Sequence, residues 1–402
     1  MSLRENWNRT RHRTLLASSA AVILAAATTA GVLAGTAGSA GHPAAKHPAL
    51  AAGTSGSKAA RLAAATCSGP AGAAYVADAG WDGFSAINTA NCSIVQTYNV
   101  GDPAVPGDPG DQNYSSTDEA VALSGHTLYF ADTGNDSVAV IDAATLNPKN
   151  YNPAETDIHV GFNPDDLAVT PDGSQVWAAD TGPQTSPSSP KAITVISAAT
   201  DKVTTTLPLP SAPAQIAFSP SGATAYVTTA AGLWVFNTAT EQVTAVIRGL
   251  GDPHGIAVSA DGKTVYVTNT NAGAVEVINA ATNRVTGTIG VGQMPWQLVL
   301  APKGGTLYVA DADSDEISVI ATSSGHVTST IPLTGDPDTL ALPPDGTQLW
   351  VGGLTSAIVT VLDTANGSVV GEVNLGNEGA NSGDGYEPTG IVLTATPTPS
   401  AS

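Results

Sequence analysis

Carboxylates, one histidine and one tryptophan recur at one place in a repeated stretch of this 402-residue chain. The pairs are Asp118-Glu119, Asp165-Asp166, Ala214-Gln215, His254-Gly255, Trp296-Gln297, Asp338-Thr339 and Thr389-Gly390. Each opens a short apolar run such as PDDLAVT, PHGIAVS or PTGIVLT. Carboxylate and carbonyl oxygens with water suit a hard divalent cation, Ca2+ or Mg2+. A cation so held polarises a carbonyl while a nearby histidine moves a proton. On this reading Glu119, Asp165, Asp166, Gln215, His254, Trp296 and Asp338 are candidate ligand-binding residues, with Asp166 and Asp338 the candidate metal ligands. No residue is singled out as catalytic. The plain alternative is that these acids only face water, so their worth depends on whether the chain gathers them.

The gathering element is the repeat itself. Residues 254–295 hold four short apolar runs, GIAVS, TVYVTN, AVEVIN and RVTGTI, separated by turn residues such as Asp261-Gly262. Runs of this length, rich in Val, Ile, Thr and Tyr and bounded by Gly, Asn and Asp, read as strands. The aromatic of the second run returns at Tyr75, Tyr129, Trp177, Tyr226, Tyr266, Tyr308 and Trp350, and the last three spacings are 40, 42 and 42 residues. A period near 40 with four strands per unit is the signature of a β-propeller. The expected fold is all-β: seven four-stranded antiparallel blades. The first blade begins at its second strand, AAYVAD, and the missing first strand matches PTGIVLT at 388–394. The C-terminal strand is therefore expected to complete blade 1 and remove a free sheet edge.

In the same stretch, PHGIAVSADGKTVYVTNT followed by VEVINAATNRVTGTIGVG resembles the YVTN family of β-propeller repeats. The resemblance spans about residues 70–394 and is densest over 254–337, while YVTT in blade 4 and WVGG in blade 7 depart from the pattern. It implies a propeller fold and an exported, surface-layer-like setting in bacteria or archaea. It implies no reaction, because that family shares no catalytic motif. Propeller enzymes resembling lactonases and streptogramin lyases use a channel mouth with a divalent cation. That gives the second reading of the ring of pairs, beside a binding scaffold for an extracellular protein, glycan or small molecule.

The flanks agree with export. Arg4, Arg9, Arg11 and Arg13 precede a stretch from Thr14 to His42 without an acid, Lys or Arg, and Gly38-Ser39-Ala40 follows the apolar part. This is the pattern of a secretory signal peptide over 1–40, with cleavage leaving no stable membrane insertion; an uncleaved anchor is the alternative. Residues 41–66 read as a disordered linker, 67–394 as the propeller and 395–402 as a disordered Thr/Pro/Ser tail. From Cys67 onward the chain keeps 7 of its 14 basic and 33 of its 34 acidic residues, a net charge of −26. Such acidity opposes nucleic-acid and anionic-lipid binding and favours a soluble monomer. In an oxidising compartment the two cysteines, Cys67 and Cys92, are expected to form a disulfide beside blade 1.

Other signals are weaker. Asp311, Asp313 and Asp315 have calcium-loop spacing, but Glu316 stands where the loop needs Gly and Thr322 where it needs Glu. A turn rich in Asp is the better reading. Lengthened connections at 101–117, 182–190 and 376–387 are expected on the face that carries the mouth, and loops on a rigid frame are where function concentrates.

Overall fold

The computed structural model describes residues 72–78, 83–99, 118–133, 135–148, 157–182, 190–353, 356–376 and 388–394. All lie in the compact unit Ala65–Ser402. The expected signal peptide, linker and tail, Cys67, the stretch 101–117 and most of the other two lengthened connections lie outside the described residues.

Seven antiparallel sheets form, each with four strand positions counted outward from the channel. Blade 1 takes its inner strand, Pro388–Thr394, from the end of the propeller and continues with Ala73–Asp78, Gly83–Asn88 and Ser93–Asn99. Blade 2 holds Asp118–Ser124, Thr127–Asp132 and Ser137–Asp142. Its outer position is divided between two short strands, Asn147–Pro148 and Ile158–His159. Blades 3 to 7 are regular, with inner strands Pro164–Val169, Pro213–Phe218, Pro253–Val258, Pro295–Leu300 and Pro337–Ala341. Blades 4 and 7 are complete despite their departures from the repeat.

Burial follows strand position. The second strand is buried nearly throughout, as in Thr264–Asn269, because blades stack on both its faces. The outer strand is mostly exposed, as in Arg284–Gly290. Seven apolar clusters sit between successive blades, so each sheet buries its faces against two neighbours. Phe84 and Phe130 stack at 4.2 Å between blades 1 and 2. Trp177 meets Phe218 and Phe236 edge-on between blades 3 and 4. Trp350 packs with Ala74, Val76, Ile391 and Leu393 between blades 7 and 1, which closes the circle. The strand that closes it pairs with Ala73–Asp78 in antiparallel register, Ala73 opposite Thr394 and Val76 opposite Ile391.

The repeat's own letters have physical duties. The tyrosine hydroxyl reaches the turn between the third and fourth strands of the next blade: Tyr75 donates to the Ala143 carbonyl at 3.3 Å and Tyr129 to Asp201 Oδ1 at 2.9 Å. The threonine two residues later ties inner strands together. Thr268 Oγ1 accepts the Gly255 N–H at 2.7 Å and donates to the Trp296 carbonyl of the next blade at 2.8 Å. Thr228 does the same with the Gln215 N–H and the His254 carbonyl, at 2.9 and 2.6 Å. Replacing Thr268 by Val keeps the shape and strands a buried N–H. We expect a loss of about 2 kcal/mol, read as a lower urea midpoint at unchanged slope; an unshifted midpoint would remove this role.

The outer strands explain the recurring Val-Thr. A bulge interrupts the pairing of third and fourth strands in blades 3 to 6. There Thr204, Thr244, Thr286 and Thr328 each donate a hydroxyl to the facing third-strand carbonyl at 3.1 Å. Bulged edges twist away from edge-to-edge pairing with another molecule.

Candidate functional site

All seven inner strands begin at the same end of the channel, and all are bulged there. In blade 5 Pro253 faces Asn269 and Ile256 faces Val267, so His254 and Gly255 together oppose Thr268. The other blades show the same interruption after their first residue. Proline fits the first position because it needs no ladder N–H. In blades 4 to 6 the bulge sets the next two residues apart from the ladder, the pairs singled out in the sequence. In blades 1, 3 and 7 only the first of each pair, Thr389, Asp165 and Asp338, is set apart. In blade 2 Asp118 itself holds the first position, so the two set apart are Glu119 and Ala120, one residue later than the expected Asp118-Glu119.

Two rings result. The upper ring, in blade order from 1 to 7, is Thr389, Glu119, Asp165, Ala214, His254, Trp296 and Asp338. The side chain of Glu119 lies outside what the structure describes, so only its register position is given. His254 and Trp296 are both half-buried and stack, with ring centroids 3.6 Å apart at 26°. Asp165 is half-buried, and Asp338 is buried at 7 % exposure.

The lower ring holds Asp166, Gln215 and Gln297, whose side chains reach sideways. Asp166 Oδ2 accepts the Ile216 N–H at 2.8 Å, and Gln215 Oε1 accepts the Ile256 N–H at 3.3 Å. Gln297 Oε1 accepts the Leu340 N–H. Each bond joins one inner strand to the next. Where the position is Gly255 no side chain fits, since a Cβ would stand 2.4 Å from the Trp296 carbonyl oxygen. Asp166 and Gln215 thus hold the wall together, a duty the sequence did not reveal. Asp166 keeps some exposed surface, but protein surrounds its carboxylate. Burial pushes it up to about 6 against the pull of the Ile216 and Leu167 N–H groups.

Below the rim, second strands end in buried carboxylates. Asp180 and Asp311 are fully buried; each accepts a hydroxyl at 2.6 Å, from Thr194 and Ser318. Their Oδ1 atoms have no hydrogen-bond partner. Burial pushes Asp180 up to about 7 and Asp311 up to about 6, partly offset by those hydroxyls and by the N–H groups of Gly161 and Gly292. Both glycines precede inner strands, and a Cβ on either would strike the carboxylate side chain.

A latch across the mouth face repeats around the ring. The left-handed residue of a loop between second and third strands clamps the linker into the next blade. Asp136 accepts the Val160 N–H through its carbonyl at 3.0 Å and the Asn163 N–H through Oδ1 at 2.9 Å. Asp315 repeats this with Leu333 and Asp336, at 2.7 and 3.0 Å. The turn 311–315, read from sequence as Asp-rich, is therefore a clamp. Its centre is a single 3-10 turn, Ala312–Ser314.

Charge divides between the two faces. Strand ends, linkers and loops at the mouth carry Asp132, Asp136, Asp180, Asp311, Asp315 and Asp336, with Lys191 and Arg248 the bases there among the described residues. The opposite face carries Lys202, Lys263, Arg284 and Lys303 among its turn carboxylates. Among the described residues no group of three or more His, Cys, Asp or Glu is arranged to hold a metal ion. No described helix is long and apolar enough to cross a membrane.

Comparison with solved structures shows the same fold in chains of low identity. A functionally unknown protein from Desulfotomaculum acetoxidans matches with a TM-score of 0.63 at 17% identity, over 81% of this chain and 99% of that one. Dihydro-heme d1 dehydrogenase NirN, solved in complex with DHE, matches at 0.56 and 13%, over 81% and 76%. Kuenenia stuttgartiensis hydrazine synthase matches at 0.55 and 22%, over 64% and 80%. A comparison with curated proteins gives no match. The choice-of-anchor description of the matching family points to an extracellular or surface-anchored protein. Residues 70–320, from blade 1 through the third strand of blade 6, match it, and the chain belongs to the choice-of-anchor I domain family.

Proposed function

We propose that this protein is an exported, YVTN-type propeller that acts as a binding scaffold outside the cell, with its ligand seat at the channel mouth. The observation that carries this reading is the half-buried His254–Trp296 stack on a ring whose neighbouring inner strands are hydrogen-bonded to one another. A rigid frame presenting an aromatic surface beside polar groups is the usual make-up of a binding site. Export supports the proposed Cys67–Cys92 disulfide, since Cys92 sits at the turn before the outer strand of blade 1, part-buried against the cluster between blades 7 and 1.

The test is a thermal-shift panel of glycans, peptides and small metabolites on the full chain. A ligand should raise Tm in the parent and in Lys303→Ala on the far face, and not in Trp296→Ala. Shifts indifferent to Trp296→Ala would place the seat elsewhere. Mass spectrometry of the culture supernatant, without reduction, should find the chain trimmed near Ala40 with Cys67 and Cys92 joined. Elemental analysis belongs to the same experiment. Stoichiometric Ca2+ or Mg2+ lost on Asp166→Ala or Asp338→Ala would favour the lactonase-like alternative.

A further inference from the structure

The upper ring is not uniform, and its order matters. Because blade 7 adjoins blade 1, Asp338, Thr389, Glu119 and Asp165 follow one another around one side. Ala214, His254 and Trp296 occupy the remaining three positions. The described carboxylates of the ring, Asp338 and Asp165, therefore lie on one side, and its aromatic rings, His254 and Trp296, on the other. The first grouping is not visible in sequence order, where Thr389 and Asp338 stand far from Asp165. No Lys or Arg occupies the first three positions of any inner strand. The face around the mouth is acidic, while most described bases lie on the other face. Such a division draws cations toward the mouth and repels anions.

Building on the mouth-binding reading, we infer that the ligand is an organic cation, an ammonium or guanidinium attached to a flat or apolar body. The body lies on the exposed part of the His254–Trp296 stack, and the charge points toward the Asp165 and Asp338 side. Aromatic faces attract cations, and carboxylates across the opening add a second, directional attraction. A phosphate, sulfate or acidic glycan meets the wrong sign at Asp165 and Asp338.

A matched series tests this by isothermal titration on the purified full chain. Tyramine, tyrosol and 4-hydroxyphenylacetate share a ring and differ in charge, and trilysine supplies the cation on a peptide instead. Tyramine should bind about tenfold tighter than tyrosol, as expected for a desolvated cation beside an aromatic face and carboxylates. The acid should give no heat. Raising the salt should weaken tyramine and leave tyrosol unchanged. Trp296→Ala should weaken tyramine about tenfold, and Asp165→Asn roughly threefold. Asp172→Asn, on the opposite face, should change nothing, and circular dichroism checks that each variant folds. Trilysine binding more tightly than tyramine would name a basic peptide as the source of the cation. Equal binding of all three small probes, with sensitivity to Trp296→Ala, would overturn the cation and leave the mouth as the seat. Binding indifferent to Trp296→Ala would overturn the seat itself. No heat with either amine would overturn the cation proposal.

Discussion

A chain stopped after Glu387 is expected to lose most of its stability, whereas one stopped after Ala395 should melt as the full chain does. Pro388–Thr394 is the inner strand of blade 1 and a wedge between two apolar clusters. Ile391 and Leu393 pack with Trp350 on the blade 7 side, and Val392 packs toward Phe130 on the blade 2 side. Burying three such side chains contributes roughly 5 kcal/mol, comparable with the whole stability of many domains. The strand also pairs along Ala73–Asp78, whose edge would otherwise be open to other chains. We expect the shorter truncation to melt about 10 °C or more below the full chain, or to aggregate before it can be measured. Equal melting temperatures for the two truncations would mean that the ring does not depend on this closure.

The second large effect is on pH. Asp180, Asp311 and Asp166 have folded-state values raised from 3.8 to about 7, 6 and 6 by burial. A raised carboxylate binds its proton more tightly folded than unfolded. Its ionisation therefore costs stability that is intact below about pH 4 and lost as pH rises from there through the folded value. Between pH 8 and pH 5 the protein should gain stability, on the order of a few kcal/mol in all. Asp172, lowered to about 2 chiefly by the Thr170 hydroxyl, and Asp261, lowered chiefly by the Ser259 hydroxyl, act in the opposite sense. Their contributions are lost as pH falls below about 4, so the optimum lies on the acid side of neutrality. Falling net charge also helps a chain this acidic, and Asp180→Asn separates the two causes. That neutral isostere should stabilise the protein at pH 8 and flatten the profile between pH 8 and 5. Melting curves across that range that are parallel for parent and Asp180→Asn would show that the buried carboxylate does not contribute.

Much of the ring was legible because its signal is repeated. One TVYVTN would be an uncertain strand, but seven aromatics in register leave little choice, and the orphan run PTGIVLT had one place to go. Six of the seven paired positions were legible for the same reason: each opens an inner strand after its proline. In blade 2, which has Asp118 in place of that proline, the pair was placed one residue early. What those side chains do was not legible. Asp166 and Gln215 read as free polar groups, yet their partners are backbone N–H groups at Ile216 and Ile256, 50 and 41 positions along the chain. Nothing local to either residue announces such a bond. The threonine of YVTN and the Asp136 and Asp315 latches were hidden likewise, because their partners lie in the next blade or the linker into it. The His254–Trp296 stack joins positions 42 apart, one repeat period, and so could have been found by aligning the blades.

The polarity of blade 1 carries one more consequence. Ala73 begins a second strand and Thr394 ends an inner one, and the two are paired side by side. Both therefore leave the disc on the side away from the aromatic and acidic opening. A stalk fixed to a wall or bilayer through either extremity would hold the disc by its back. Whatever drifts in from the medium would then meet the opening first, with no need for the disc to turn over.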